Sequence, residues 1–138
     1  MFELKERDGL ARIGILSTPH GRIETPTLLP VINPNQITIS PAEMKKEVGI
    51  QALITNSYII KKSDKLREMA LEKGLHHLVG FDGPIMTDSG TFQSHMYGEV
   101  KLEPLEIIEF QKAIGSDIGT VLDLFSEPED AREKAETD

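Results

Sequence analysis

The sequence predicts an α/β fold, a parallel sheet preceded by an antiparallel β hairpin, on three observations. Strand-like apolar runs alternate with helix-like segments three times after residue 36, the mark of successive βα units. Each run closes on small polar or acidic residues, at Asn56-Ser57, at Asp88-Ser89 and at Asp123. The stretch ahead of them alternates in polarity on either side of a Pro/Gly turn, as a hairpin does.

Residues 3–32 read as β structure. Ala11 to Ser17 alternates, Thr18-Pro19-His20-Gly21 turns, and Arg22 to Val31 forms the returning strand, pushed towards a sheet edge by Pro26 and Pro30. Asn33 to Gln36 is a loop. Ser40, Pro41 and Glu43 make a capping box with proline at the first helical position, so a helix should run to about Val48 and stop at Gly49. Ile50 to Thr55 is an apolar run of strand length. Ser63 to Lys73 follows as a helix with Leu66, Met69 and Ala70 on one face and Gly74 as its stop. Residues 75–83, with His76, His77 and Gly80, read as a loop. The strand Pro84 to Met86 runs into Thr87-Asp88-Ser89-Gly90. Pro104 to Gly115 is an amphipathic helix, and Asp117 to Asp123 reads as a third buried strand. A second capping box, Ser126 to Glu129, launches a last helix. A closed (β/α)₈ barrel needs about 250 residues. With 138, the chain reads as the N-terminal portion of such a barrel or as a small open sheet, and the first is favoured.

Composition bounds the function. The apolar share of 38% and charged share of 28% fit a globular domain, and no apolar run approaches a membrane span. The start shows no signal peptide and cysteine is absent, which excludes disulfides, thiol nucleophiles and cysteine-bound metals and fits a cytoplasmic protein with no membrane partner. A formal charge of −8, with acid crowded into 126–138, argues against this segment as the main nucleic-acid contact.

The candidate chemistry lies at the strand ends, which share one face in a parallel sheet. Asp88 and Asp123 supply carboxylates for acid/base work, nucleophilic attack or hydrogen bonds to a base edge. Ser89 and Asn56 add polar groups, Phe92 a flat face, and Gln93 both a donor and an acceptor. Together they suit a planar, hydrogen-bonding ring. Each also has a plainer reading, since Asp88, Ser89 and Asp123 could simply cap the helices that follow. His76 and His77, adjacent and without acidic or thiol company in sequence, read as surface residues and not as metal ligands, and His95 as a solvent-facing loop residue.

Thr87-Asp88-Ser89-Gly90-Thr91-Phe92-Gln93 resembles the Thr-Asp-Ser-Gly-(Gly/Ser)-(Phe/Tyr)-Gln motif of tRNA-guanine transglycosylases. The likeness continues through His20 to Pro30, Thr55 to Tyr58 and Gln111 to Gly119, in the family's order. Tyr97-Gly98, Leu122-Asp123 and Pro128 resemble the archaeal, archaeosine-type branch. The resemblance implies a partial catalytic domain over 1–138, with residues 1–35 as an antiparallel cap and 36–138 as the first βα units of a barrel. It implies replacement of guanine 15 in the tRNA D-arm by preQ0. Asp88 would be the active-site aspartate, as nucleophile or as proton acceptor. Asp123 would take the ring edge, Ser89 its polar side, and Phe92 would stack. Thr91 departs from the pattern, standing where the family has Gly or Ser. The family's zinc ligands, its second catalytic aspartate and its RNA-binding domains have no counterpart here. No cofactor is therefore expected in this chain, and alone it should neither turn over nor bind tRNA tightly. The implied partners are tRNA, guanine or preQ0, and a complementary polypeptide or second copy. A non-catalytic base-binding or regulatory module, or a purely structural domain, are the competing readings.

Overall fold

The computed structural model of the protein describes residues 1–91 and 103–123, which form a mixed α/β fold with one antiparallel and one parallel sheet. The antiparallel sheet has three strands in sequential order, β1 (Phe2–Asp8), β2 (Ala11–Thr18) and β3 (Gly21–Thr25). The expected hairpin is β2–β3, paired from Gly14↔Thr25 to Thr18↔Gly21. A further strand, β1, pairs with β2 and carries an irregularity between Leu4 and Glu6. The returning strand is shorter than expected. It stops at Thr25, before Pro26, which has no N–H to offer a ladder. Val31 and Ile32 join the other sheet instead, as β4 (Val31–Ile32).

The parallel sheet has the order β4–β5–β6–β7, with β5 (Leu53–Asn56), β6 (Ile85–Asp88) and β7 (Ile118–Gly119). Between β4 and β5 the Ser40 capping box closes as expected: the Glu43 N–H donates to Ser40 Oγ at 3.2 Å and the Ser40 N–H to Glu43 Oε2 at 3.1 Å. The helix it starts, α1 (Pro41–Glu43), widens at once into a π-helical turn, Met44–Val48, before Gly49 ends it. Between β5 and β6 lie α2 (Ser57–Lys62), α3 (Asp64–Lys73) and α4 (Leu75–Val79). The helix α2 follows the strand end directly, in a stretch given no element from sequence, and α4 replaces part of the loop expected over 75–83. Asn56 starts the first by accepting the Ile59 N–H on its side chain at 3.0 Å. Leu75 and Val79 drive the second, since both are needed in the core. After β6 comes α5 (Pro104–Ala113), as its proline start predicts.

Strand alternation separates two faces. Ile32, Leu53 and Ile85 point under the helices and meet Leu66, Ala70, Leu75, Val79, Ile107, Phe110 and Ile114 in one apolar cluster. Thr55 and Thr87 share that face and are fully bonded, Thr55 to the Ile32 carbonyl at 2.8 Å. The opposite face carries Val31, Ile54, Met86 and Ile118, placed side by side by the register Val31↔Ile54↔Met86↔Ile118. No helix among the described residues is long and apolar enough to cross a membrane. The Ser126 capping box and the helix it launches lie outside the described residues. Ile85 is fully buried at the centre of the cluster, so Ile85→Ala should lower unfolding free energy by about 3 kcal/mol. Urea denaturation checks this; an unchanged midpoint would mean that β6 is not the core strand described.

Candidate active site at the carboxyl end of the parallel sheet

Asp88 is the last residue of β6, and the register sets it directly opposite Asn56, the last of β5. Asn56 Nδ2 donates to Asp88 Oδ2 at 2.7 Å, so the amide that starts α2 with its oxygen orients the carboxylate with its nitrogen. Ser57 Oγ donates to the Asp88 carbonyl at 2.6 Å. Gly90 turns the chain away with a φ of 84°, and a side chain there would run into Tyr58. Asp88 is half-buried, whereas Ser89 is 2% exposed. The Ser89 N–H donates to Thr120 Oγ1 at 2.7 Å, and its own Oγ lies 3.4 Å from Thr91 Oγ1.

Asp123 is not the end of a strand. Ladder pairing stops at Gly119: the Thr120 N–H still reaches the Thr87 carbonyl of β6 at 3.2 Å, but it also donates to Gln111 Oε1 at 3.0 Å, and the Thr120 carbonyl accepts from Gln111 Nε2 at 2.9 Å. Residues 120–123 continue without regular structure and leave Asp123 exposed. The Asp123 N–H donates to Thr91 Oγ1 at 3.2 Å. The Thr91 hydroxyl, a group that a serine at this position would also offer, thus ties the segment bearing Asp123 to the turn after Asp88. Asn56, Asp88, Ser89 and the Asp123 backbone therefore meet around one strand end, while Phe92, Gln93 and His95 lie outside the described residues. Sequence reading assigned no role to Thr120 or Gln111. A signal existed for Gln111: it falls on the apolar stripe Ile107-Phe110-Ile114, where a polar residue needs internal partners.

The histidines behave differently from expectation. His76 has acidic company after all. Its Nε2 lies 3.0 Å from Asp117 Oδ2, while His20 Nδ1 lies 2.9 Å from Asp117 Oδ1. Asp117 also accepts the N–H of His20 at 3.0 Å and of Ile85 at 2.9 Å, and its side chain is fully buried. His77 is exposed, as expected. The three ligand types could suggest a metal centre, but the shape does not fit one. The imidazoles stack at 3.6 Å with only 25° between their planes. A shared ion must lie in both ring planes, and these do not meet near the nitrogens. Among the described residues, this triad is not arranged as a zinc site. The cluster is a clasp at the amino end of the sheet, fixing the β2–β3 turn to β6 and β7.

Residues 7–138 match the family model described as queuine tRNA-ribosyltransferase. The chain belongs to this family. Among similar proteins is the tRNA-guanine(15) transglycosylase of Thermoplasma acidophilum, 58% identical over 135 residues, covering 98% of this chain and 21% of that protein. Proteins of the same name from Haloferax volcanii and Pyrococcus furiosus are 55% and 53% identical, covering 99% of this chain in each case, and 27% and 23% of their own lengths. The chain thus spans about a quarter of the length of the curated relatives it matches. In the queuine tRNA-ribosyltransferase family the matched region takes in both strand ends and the clasp.

The clasp carries a pH signature. Burial lowers His76 below the ordinary imidazole value of 6.5, the nearby His20 lowers it further, and Asp117 opposes both. Burial alone would raise Asp117, but the Ile85 N–H and the bonds from His20 outweigh it and hold the carboxyl below 3.8. Both folded values are depressed, so the unfolded chain binds more protons as pH falls through the unfolded values. Stability present above about pH 6.5 is lost first at His76, and later, below about 3.8, at Asp117. The urea midpoint should fall between about pH 7.5 and 5.5, and His76→Gln should flatten that fall. A slope unchanged by the substitution would remove His76 as its source.

Proposed function

We propose that this chain carries the base pocket and the active-site aspartate of a tRNA base-exchange enzyme. The single observation behind this reading is the Asn56–Asp88 pair. It is a carboxylate held by an amide at the carboxyl end of a parallel strand, beside the segment bearing Asp123. The substrate is guanine 15 of the tRNA D-arm, the product carries preQ0, and the names of the archaeal relatives support the guanine-15 choice. The antiparallel sheet within residues 1–35 acts as a cap, and β4 together with 36–138 makes up the first βα units of a (β/α)₈ barrel. The apolar row Val31-Ile54-Met86-Ile118 supports the barrel, because a parallel sheet is normally covered on both faces.

In the double displacement a carboxylate oxygen bonds to ribose C1′ as the bond from C1′ to guanine N9 breaks. Guanine leaves with a proton on N9. The incoming base gives up the equivalent proton, its nitrogen bonds to C1′, and the ester to the enzyme breaks. Asp88 acts at C1′ as the nucleophile or on the exchanging base as the proton acceptor. Asp123 accepts hydrogen bonds from the ring's amide and amino groups, and Ser89, Phe92, Gln93 and Asn56 complete the pocket. The target base leaves its stack to enter. Other parts of the protein supply most of the tRNA contacts, and a complementary polypeptide or a second copy completes the sheet.

Calorimetric titration of guanine and preQ0 into the 138-residue chain should show binding that Asp123→Ala weakens at least about tenfold. Asp88→Asn should retain binding. It should cut exchange by roughly 10²–10⁴-fold in a chimera where this chain replaces the matching segment of the Thermoplasma acidophilum protein. Binding indifferent to Asp123, or exchange indifferent to Asp88, would overturn the assignments. Binding without exchange in the unmutated chimera would favour a non-catalytic base-binding module.

A further inference from the structure

We propose that Gln111 is a positioning residue for the base-exchange site, fixing the segment that carries Asp123 against the turn that follows Asp88. The inference rests on the base-exchange reading and extends it to a helix residue remote from the strand ends in sequence. Gln111 is 2% exposed. Its Nε2 donates to the Thr120 carbonyl at 2.9 Å, and its Oε1 accepts the Thr120 N–H at 3.0 Å. The amide thus bonds both backbone groups of Thr120, whose N–H also reaches the Thr87 carbonyl of β6 at 3.2 Å. Thr87 Oγ1 donates to the same Oε1 at 2.6 Å, which anchors the amide to β6.

Two observations show that the fit is built. Gly119 lets the amide approach, since a Cβ there would lie 3.1 Å from Gln111 Oε1. Ser116 Oγ lies 2.8 Å from Thr87 Oγ1, backing the hydroxyl that holds the amide oxygen. The consequence reaches the site by two bonds. Thr120, held by Gln111, accepts the Ser89 N–H on its hydroxyl. Three residues on, the Asp123 N–H meets Thr91. The segments bearing the two aspartates are joined directly by the Ser89–Thr120 and Thr91–Asp123 bonds, and the buried glutamine braces the first of these by holding the Thr120 backbone.

A glutamine is required because the position needs one donor and one doubly accepting oxygen at neutral pH. A glutamate there has no donor when ionised and regains one when protonated, and burial raises the pH at which that happens. The partners Thr87 and Thr120 carry no ionisable side chain. Measuring the unsubstituted chain at each pH removes the titration of Asp88, Asp117, Asp123 and His76 at the ends of the same strands. The test compares the 138-residue chain with Gln111→Met and Gln111→Glu at about pH 8 and pH 5.5, reading amide-exchange protection and guanine affinity. Gln111→Met should lose protection at Ser89, Thr120 and Asp123 and about tenfold in affinity at both pH values. Gln111→Glu should do so at the higher pH and recover at the lower, with Leu53 and Ile85 protected throughout. Unchanged protection at Ser89 and Asp123, or affinity that ignores the protection, overturns the proposal. If Gln111→Met loses protection everywhere, acid recovery by Gln111→Glu still decides. No guanine binding by the unsubstituted chain sinks the base-exchange reading instead, and the protection pattern still decides whether Gln111 couples the strand ends.

Discussion

The register between β5 and β6 is the constraint on which both core and site depend. Parallel pairing sets Leu53 beside Ile85 and Asn56 beside Asp88. A slip of one residue would turn Leu53 out of the core and send Asn56 to the other face. Fully buried Leu53 and Ile85 make that slip costly, and the polar pair at the strand ends inherits the precision. Local bonds then hold what the register places. Ser57 satisfies the Asp88 carbonyl just where the ladder ends, and the close approach of Gly90 to Tyr58 leaves the turn little room to move.

The sheet also shows how surroundings divide the work of two aspartates. Asp117, at the amino end, is buried and takes four bonds, from two histidine rings and two backbone N–H groups. A carboxylate used that fully is a structural tie. Asp88, at the carboxyl end of the neighbouring strand, is half-buried and oriented by a neutral amide. A neutral amide fixes the position of the carboxyl group, as the proposed base-exchange role requires. Sequence alone singles out Asp88 by its place at the carboxyl end of a strand and gives Asp117 no role.

Much was legible because it rests on local chemistry. Ser40 and Glu43 announce a helix start, Pro104 another, and the apolar runs ending at Asn56 and Asp88 announce strands that stop at polar groups. What was not legible depends on contacts between distant residues. Leu75-His76-His77-Leu78 looks like a loop next to Gly74 and Gly80, yet the core recruits Leu75 and Val79, and a helix is the cheapest way to aim both inward. His76 reads as a surface residue because its partner, Asp117, is 41 residues away in sequence. Asp117 to Asp123 reads as strand from its β-favouring composition, and it pairs as strand only at Ile118 and Gly119, with the Thr120 backbone shared between the Thr87 carbonyl and a glutamine side chain. Propensity describes what a segment tolerates, and long-range bonding decides what it becomes.

The two faces of the parallel sheet bear on the proposal that the polar groups receive a ring. Asn56 and Asp88 share a face with Ile54 and Met86, two residues back along each strand. That face therefore has an apolar floor and a polar rim, with Val31 and Ile118 widening the floor on either side. A flat heterocycle entering from the carboxyl end can rest its faces on apolar side chains while its hydrogen-bonding edge stays among amide, carboxylate and hydroxyl groups. An apolar floor also keeps water from competing for those edge bonds, which strengthens each of them. The rim has to be held rigidly for that to yield selectivity between rings that differ by one donor or acceptor. The bonds from Asn56 to Asp88, from Ser89 to Thr120 and from Asp123 to Thr91 supply that rigidity from three directions.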